Sequence, residues 1–334
     1  MFRMAFFGII VPNTALTKSA SGARWDRGMV YLQNLVLPYF LLPVIGLVVC
    51  LAIFQIIRPA FTLEGTRRYG LAWLALPGAG LLHALYVIRI GGDFMHGRML
   101  LPALFSILVP VVVGRRNIKA LLAVGAWMII AVIGLRSSTL EFNIWGTDVY
   151  DERSFYVKNS GNENPVTVKD YTDMGLGWVT LGETLKQRAD EGISVGFLKM
   201  KEVELGPERL RPGVEAKVYA AMGNVGIAGY VAGTDVHILD TLGLAHPLVA
   251  RIEANRDGRP GHEKKSNRWV WAPLVPELST PGMVKLLECP AVKELTAAIT
   301  EPLTFDRMIK NLTGSIDRTR LMLPAEPGTD ATCP

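Results

Sequence analysis

The stretch LVLPYFLLPVIGLVVCLAIFQII, residues 35–57, is apolar throughout apart from Gln55. A helix of this length measures about 34 Å, because each residue adds about 1.5 Å along the axis, and the hydrocarbon core of a bilayer is about 30 Å thick. The stretch therefore predicts a helix that spans a membrane.

Three further apolar stretches, residues 71–90, 99–113 and 120–135, lie before Arg136. The stretch 99–113 is short for a span of about 20 residues, so a re-entrant segment is the alternative there. Half of the 334 residues are hydrophobic and only 19% are charged, whereas about a quarter are charged in soluble proteins. The sequence predicts an outer-face segment over residues 1–30, about four α-helical spans over residues 31–136, and an extracytoplasmic mixed α/β domain over residues 137–334.

Basic residues between the apolar stretches determine the predicted orientation. They are Arg58, Arg67 and Arg68 in the first loop and Arg115, Arg116 and Lys119 in the last. Loops rich in lysine and arginine stay in the cytoplasm, so residues 91–98 and everything after residue 136 are predicted to lie outside. These loops contribute to the net charge of +5, which is therefore weak evidence for nucleic-acid binding, and no nucleic-acid partner is predicted.

The first 23 residues allow two interpretations. Arg3, the apolar run over residues 4–11 and the small residues at 19–23 resemble a signal peptide. Pro12 and Asn13 interrupt the apolar run early, which favours an amphipathic segment lying on the outer face of the membrane.

The C-terminal part has the alternating pattern of an α/β module. Residues 218–221 and 236–239 predict strands, residues 225–230 predict a helix, and a further helix is predicted to begin near His246 and Pro247. Residues 281–321 have helical spacing. The glycines of GNVGIAGYVAG, residues 223–233, match neither of the common nucleotide-binding patterns, and His262 has no second histidine four residues along. The sequence predicts neither a cofactor nor a metal site.

Cysteines and tryptophans of this part carry two further expectations. Cys289 and Cys333 both lie where an oxidising compartment permits a disulfide, and we expect that bridge to hold the C-terminal tail; two free thiols are the alternative. A tryptophan can stack on a sugar ring when exposed, although most tryptophans are buried. The candidates are Trp145, Trp178, Trp269 and Trp271.

Three stretches resemble a known family. They are RMAFFGIIVPNTALTKSA (residues 3–20), RIGGDFMHGRMLLPALF (residues 89–105) and ILDTLGLAHPLVARIEANRDGRPGHEKK (residues 238–265). They are similar to the terminal β-(1→2)-arabinofuranosyltransferases of the actinobacterial cell wall, which belong to the GT-C class of multispanning glycosyltransferases that use polyprenyl-phosphate sugars.

The resemblance implies a decaprenylphosphoryl-arabinofuranose donor, an arabinan acceptor and chemistry on the outer face of the plasma membrane. Members of the family are longer and carry their catalytic carboxylate in a first outer loop, so this chain corresponds to their C-terminal half. The catalytic residue is therefore not assigned, and a separate N-terminal half is an expected partner. The alternative is a non-catalytic membrane protein whose outer domain binds glycan or scaffolds a partner.

Transfer from a lipid phosphate needs cations for the phosphate, a carboxylate near the reacting sugar and a groove for the acceptor. We predict a donor side formed by Asp93, His96, Arg98, Arg89, Arg3, Asn13 and Lys18. The resemblance implies an acceptor side formed by Asp240, Arg259, His262 and Glu263. Arg98 fits the donor phosphate best, because an arginine fork holds two oxygens at once. Each cation has the alternative of anchoring at the headgroup level, and Asp93 has that of an ion pair with Arg98.

Overall fold

A computed structural model describes residues 1–18, 22–52, 64–113, 118–137, 144–255, 258–259 and 261–334. The chain divides into two compact units. One, the helical unit, is Ala20–Lys158; the other, the α/β unit, combines Met1–Ser19 with Asn159–Pro334. The sequence predicts boundaries at residues 30 and 136, where the predicted membrane-spanning part begins and ends. These boundaries stay predictions.

The helices are named here in chain order. They are α1 (Phe2–Phe7), α2 (Asn13–Thr17), α3 (Trp25–Val36), α4 (Leu41–Ala52), α5 (Glu64–Arg89), α6 (Leu101–Val113), α7 (Ile118–Ser137), α8 (Glu152–Ser160), α9 (Val168–Thr172), α10 (Gly177–Asp190), α11 (Val225–Ala232), α12 (Asn267–Trp271), α13 (Pro281–Leu287), α14 (Pro290–Thr300), α15 (Phe305–Thr313) and α16 (Ser315–Arg320). The strands are β1 (Val195–Leu198), β2 (Lys201–Glu204), β3 (Val218–Met222) and β4 (Val236–Asp240). Short 3-10 turns cover Ile144–Gly146, Pro207–Arg209, Val249–Arg251 and Pro276–Leu278.

The predicted helix over residues 35–57 is interrupted. Helix α3 ends at Val36 and α4 begins at Leu41, because Pro38 has no N–H to continue the ladder and Phe40 adopts a left-handed backbone with φ of 49°. Residues 53–57 lie outside the described part of the chain. The other three apolar stretches coincide with α5, α6 and α7.

Within the part that the structure describes, no single helix is both long and apolar enough to cross a membrane. Helix α3 and residues 41–47 of α4 meet that requirement as a pair bent by 87°. The predicted number of spans stays a prediction. Of the basic loop residues, Arg58, Arg115 and Arg116 lie outside the described part, and Arg67 and Arg68 lie in α5.

Small residues let the helices of the helical unit approach closely. Helix α5 packs against both α3 and α6. A side chain at Gly28 would come within 1.8 Å of the carbonyl oxygen of Ile88, and one at Gly80 within 2.9 Å of the carbonyl oxygen of Ala103. The core between these helices is formed by Tyr31, Leu35, Val36, Leu41, Val87, Leu100, Ile144 and Val149.

The α/β unit confirms the mixed α/β class. Its sheet has the order β2-β1-β3-β4, with β1 and β2 antiparallel and β1, β3 and β4 parallel. The predicted strand, helix, strand pattern from residue 218 to residue 239 is observed as β3, α11 and β4. Helix α11 packs on α10, where a side chain at Gly182 would come within 2.7 Å of the carbonyl oxygen of Ala228.

The prediction of a helix that begins near His246 and Pro247 is wrong, because only the 3-10 turn Val249–Arg251 forms there. The backbone then turns to pair with the C-terminal segment: the N–H of Glu253 donates to the carbonyl of Leu323 at 2.9 Å, and that of Leu323 donates to the carbonyl of Arg251 at 2.8 Å. Pairing in extended conformation excludes a continued helix.

Two distant parts of the chain are joined to the core of the α/β unit. At the N-terminal end, the Thr17 hydroxyl donates to the carbonyl of Gly243 at 2.7 Å, and Arg318 Nε donates to the carbonyl of Gly8 at 2.9 Å. At the C-terminal end, a disulfide joins Cys289 to Cys333 across 44 residues. Trp269 and Trp271 are buried in the core of this unit.

Candidate functional sites

The first candidate site is the glycine-rich turn, residues 91–98, in the helical unit. Gly91, Gly92 and Gly97 have φ values of 90°, 73° and 63°, a region that other residues rarely adopt. At Gly92 a side chain would also come within 2.3 Å of the Tyr31 ring. Glycine here lets the chain leave α5 and pass tightly over α3.

Asp93 and Arg98 form an ion pair within this turn. Asp93 is only 3% exposed, whereas Arg98 is 44% exposed, and the contact joins Arg98 Nη2 to Asp93 Oδ2. A buried carboxylate needs such a partner, since an unpaired buried charge is costly. The guanidinium carbon also lies 5.7 Å from the centre of the Phe94 ring. Asp93 therefore orients a cation that solvent can still reach.

His96 is held from two sides. Its Nε2 lies 2.7 Å from the hydroxyl of Tyr39, and its backbone N–H donates to the carbonyl of Tyr150 at 3.0 Å. Within the described part of the chain, the His96 Nδ1 is buried without a hydrogen-bond partner. Burial lowers the pKa of His96, and the nearby Asp151 only partly opposes this. The imidazole is therefore neutral near pH 7.

A small pocket of about 180 Å³ opens beside the turn. Its lining residues are Arg27, Val30, Gly91, Asp93, Gly146, Thr147, Asp148 and Val149. Arg98 is not among its lining residues. The pocket is too small for a whole sugar-lipid headgroup, since sites for small ligands usually measure about 300–1,000 Å³.

The second candidate site is a pocket of about 540 Å³ in the α/β unit, which we call the strand-end pocket. Its lining residues are Trp178, Leu181, Met200, Met222, Gly223, Asn224, Leu242, Arg259, His262 and Lys265. Met222 ends β3 and Asn224 immediately precedes α11. The pocket thus opens at the carboxyl ends of parallel strands, where open α/β sheets commonly bind ligands.

Arg259 and His262 of the third motif both line this pocket. The N–H of Asn255 donates to the carbonyl of Glu263 at 2.8 Å, and the N–H of His262 donates to the carbonyl of Arg259 at 2.9 Å. Arg259 Nη2 lies 3.4 Å from His262 Nδ1. Pro260 of the same motif lies outside the described residues.

Asp240 and Glu263, predicted with these two residues, are buried and are not among the pocket's lining. The carboxylate of Asp240 accepts from the backbone N–H of Leu242 at 2.9 Å and of Ala245 at 2.7 Å, so it stabilises the turn after β4. Their predicted part in acceptor binding stays a prediction.

The predicted donor residues are divided between the two units. Asp93, His96, Arg98 and Arg89 belong to the helical unit, and Arg3, Asn13 and Lys18 to the α/β unit. Arg89 is exposed at the end of α5, and Lys18 is exposed after α2. Asn13 Oδ1 accepts from Arg251 Nη1 at 3.4 Å, and the Arg3 guanidinium lies 5.4 Å from the Phe7 ring centre.

Sequence reasoning missed several residues that complete these sites. Lys265 and Asn224 line the strand-end pocket, and Tyr39 binds His96. Lys265 could have been found as the last residue of the third motif, but nothing in the local pattern around Tyr39 relates it to a histidine 57 residues later. Of the candidate tryptophans, Trp178 lines the pocket.

The described residues contain no group of three or more His, Cys, Asp or Glu side chains placed to hold a metal ion.

Comparison with known proteins first defines a domain class. Residues 209–331 match the model of the AftB family C-terminal domain. That match includes β3, α11 and β4, and the pocket residues Arg259, His262 and Lys265.

Two particular relatives extend the similarity to nearly the whole chain. Over 386 aligned residues the chain is 29% identical to the terminal β-(1→2)-arabinofuranosyltransferase of Mycobacterium tuberculosis. This alignment covers 98% of this chain and 61% of the relative. Over 360 residues it is 30% identical to the Corynebacterium glutamicum enzyme of the same name, covering 93% of this chain and 51% of the relative. The chain thus spans between half and two thirds of their length, and the resemblance seen in the three motifs is confirmed. No solved structure matches the chain.

Proposed function

We propose that the chain acts in arabinofuranosyl transfer to cell-wall arabinan, with decaprenylphosphoryl-arabinose as donor, either by itself or as the C-terminal half of the transferase. The observation that carries this proposal is the identity of 29% and 30%, over 98% and 93% of the chain, to two enzymes named terminal β-(1→2)-arabinofuranosyltransferase. Both candidate sites lie within residues that the similarity covers.

The proposed setting is the plasma membrane, with about four GT-C-like spans and with residues after 136 outside. The apolar side chains of α7 support this setting. Ile129 is 62% exposed, and Leu122, Ile130 and Ile133 are similarly exposed. Large aliphatic side chains exposed around a whole helix are typical of a helix surrounded by lipid or by other protein.

At the donor side, Arg98 is proposed to bind the lipid phosphate. Its guanidinium is half exposed and oriented by the buried Asp93, and charge-assisted hydrogen bonds to phosphate are among the strongest that proteins make. The neutral His96 is proposed to position the turn that carries Arg98, through its contact with the Tyr39 hydroxyl. This assigns binding and orientation to the turn and leaves the catalytic carboxylate unassigned.

The transfer assay tests this proposal directly. Membranes carrying the chain receive polyprenyl-phosphate arabinose and an arabinan oligosaccharide, once with the chain alone and once with the N-terminal part of the Mycobacterium tuberculosis relative co-expressed. We expect transfer in at least one arm. Transfer in the second arm alone identifies a C-terminal half, and transfer in neither contradicts the proposed function.

In the active arm, Arg98→Lys should raise the KM for donor by about tenfold or more, because lysine keeps the charge but cannot hold two oxygens. Arg153→Lys, on the exposed surface of the same unit, is the matched control and should leave the KM unchanged. Equal donor KM values for both variants would show that the turn is an interfacial anchor.

At the acceptor side, the strand-end pocket is proposed to bind an arabinan oligosaccharide. Trp178 offers an aromatic face, while Arg259, His262 and Lys265 offer hydrogen-bond donors. The pocket lies entirely within the α/β unit, and this favours the second candidate function, a membrane protein that binds glycan without transferring sugar.

Calorimetric titration of arabinan oligosaccharide separates these functions. Trp178→Ala should weaken binding by about 1 kcal/mol or more, the usual contribution of a stacked ring, whereas Tyr230→Ala, an exposed aromatic outside the pocket's lining, should not. Binding that depends on Trp178, with no transfer in either arm, would establish the glycan-binding function. Binding that is unaffected by Trp178→Ala would show that the pocket serves neither of the two proposed functions.

A further inference from the structure

Helix α15 has its amphipathic faces reversed. Its apolar residues Phe305, Met308, Ile309 and Leu312 recur with helical spacing along one side, and such a side normally faces the core. Here Phe305 is 75% exposed and Met308 and Ile309 are exposed as well. The buried residues of the helix are Arg307 and Asn311.

A satisfied polar network explains why the polar side faces inward. Arg307 pairs with Glu294 and, at 3.1 Å, with Glu301. Its Nε donates to Asn311 Oδ1 at 3.0 Å. Asn311 Nδ2 in turn donates to the carbonyls of Ala5 at 3.1 Å and Ala298 at 3.0 Å. Because both ends of these buried groups find partners, the orientation of α15 is well determined.

Helix α1 packs against α15 and is equally apolar on its exposed side. Phe2 is 75% exposed, and Phe6 and Phe7 are exposed. The Phe2 and Phe6 rings stack with centres 5.5 Å apart. The exposed Arg3 lies on α1 beside these rings, with its guanidinium carbon 5.4 Å from the centre of the Phe7 ring.

We infer that these two helices form a membrane-contact face, made of Phe2, Phe6, Phe305, Met308 and Ile309 with Arg3 beside them, that rests on an anionic lipid surface. Phenyl and aliphatic side chains enter the boundary between headgroups and acyl chains, and the arginine reaches the phosphates, as in interfacial helices. This inference rests on the proposed membrane setting, since the same chain carries α7 with its exposed aliphatic side chains.

Lipid fits this face better than a second copy of the chain. The face combines aromatic and aliphatic side chains with the exposed cation of Arg3, and this combination matches the layered chemistry of a headgroup region. An interface between identical copies would place Arg3 beside the apolar side chains of its partner, where its charge would lack a counter-charge.

Site-specific fluorescence in the full-length protein tests the inference. Cys50, which is the free cysteine of the described chain, is first replaced by serine. An environment-sensitive label is then placed at Ile309→Cys, at Val166→Cys as the matched control, and at Ile129→Cys in α7. Val166 is 83% exposed on the same unit and does not belong to the membrane-contact face. Each protein is reconstituted in vesicles of anionic phospholipid whose acyl chains are either brominated or plain.

Brominated lipid should quench the Ile309 label several-fold more than the Val166 label, and aqueous iodide should show the reverse order. Quenching at Ile129 but equal quenching at Ile309 and Val166 would overturn the inference and leave the membrane setting intact. No quenching at Ile129 or Ile309 would overturn both. An Ile309 label shielded from iodide but not quenched by lipid would mean that protein covers the face, which also overturns the inference.

Discussion

At the scale of single residues, His246 is a buried imidazole whose protonation the fold opposes. Its Nδ1 lies 3.4 Å from the backbone N–H of Val249 and accepts from it, which requires that nitrogen to be unprotonated. Burial, with a smaller contribution from His237, lowers the pKa of His246 to about 4.

This lowered pKa predicts loss of stability in acid. Between pH 6.5 and pH 4 the unfolded chain binds the proton before the folded chain does, so the free energy of unfolding falls as the pH falls. The expected loss is up to about 3 kcal/mol, at about 1.4 kcal/mol for each pKa unit. In His246→Asn the thermal midpoint of the α/β unit should fall less steeply over this window, with a residual slope from His237, whose pKa is also lowered. Equal slopes in parent and variant would contradict the assignment.

The sequence indicated some residue-scale features and not others. The ion pair of Asp93 with Arg98 could be proposed from their spacing in a glycine-rich turn, and it forms. The contact of His96 with Tyr39 and the burial of Asp240 depend on packing between distant segments, to which local spacing is blind. Sequence reasoning could therefore name the residue types of each site but not which of them would be buried.

At the scale of secondary-structure elements, periodicity predicted β3, α11, β4 and the C-terminal helices, because each has a regular pattern of its own. It failed where another element decided the outcome. The helix expected near His246 is replaced by pairing of Glu253 with Leu323. Helix α15 follows an ordinary amphipathic pattern, but the buried Arg307 network reverses the side that faces inward.

The disulfide is predicted to hold the C-terminal tail against the core. Trp269 Nε1 donates to the carbonyls of Pro324 and Ala325, both at 3.1 Å, so the tail covers a buried indole. Closing a loop of 44 residues corresponds to about 4 kcal/mol of unfolded-state entropy. Cys333→Ser should therefore lower the thermal midpoint by several degrees and make it insensitive to reductant. Cys50→Ser is the control and should leave both the midpoint and its response to reductant unchanged; a reductant-insensitive parent would contradict the predicted role of the bridge.

At the scale of the whole molecule, composition and charge predicted a membrane part followed by an α/β part. The α/β unit is observed, but it also includes Met1–Ser19, which the sequence assigned to an interfacial segment. That inclusion depends on hydrogen bonds such as Thr17 to Gly243, 226 residues apart. Contacts at such separation leave no periodic trace in the sequence.

Placement of the glycine-rich turn and of residues 137–334 outside the membrane underlies both proposed sites, and cysteine accessibility in intact cells measures it directly. In the Cys50→Ser background, an impermeant maleimide should label cysteines at Asn159 and Val166 without permeabilisation. Cysteines at Thr66 and Asn117 should be labelled only after permeabilisation, because basic loops stay in the cytoplasm. Labelling of Asn159 and Thr66 from the same side would contradict the predicted orientation and, with it, the placement of both sites.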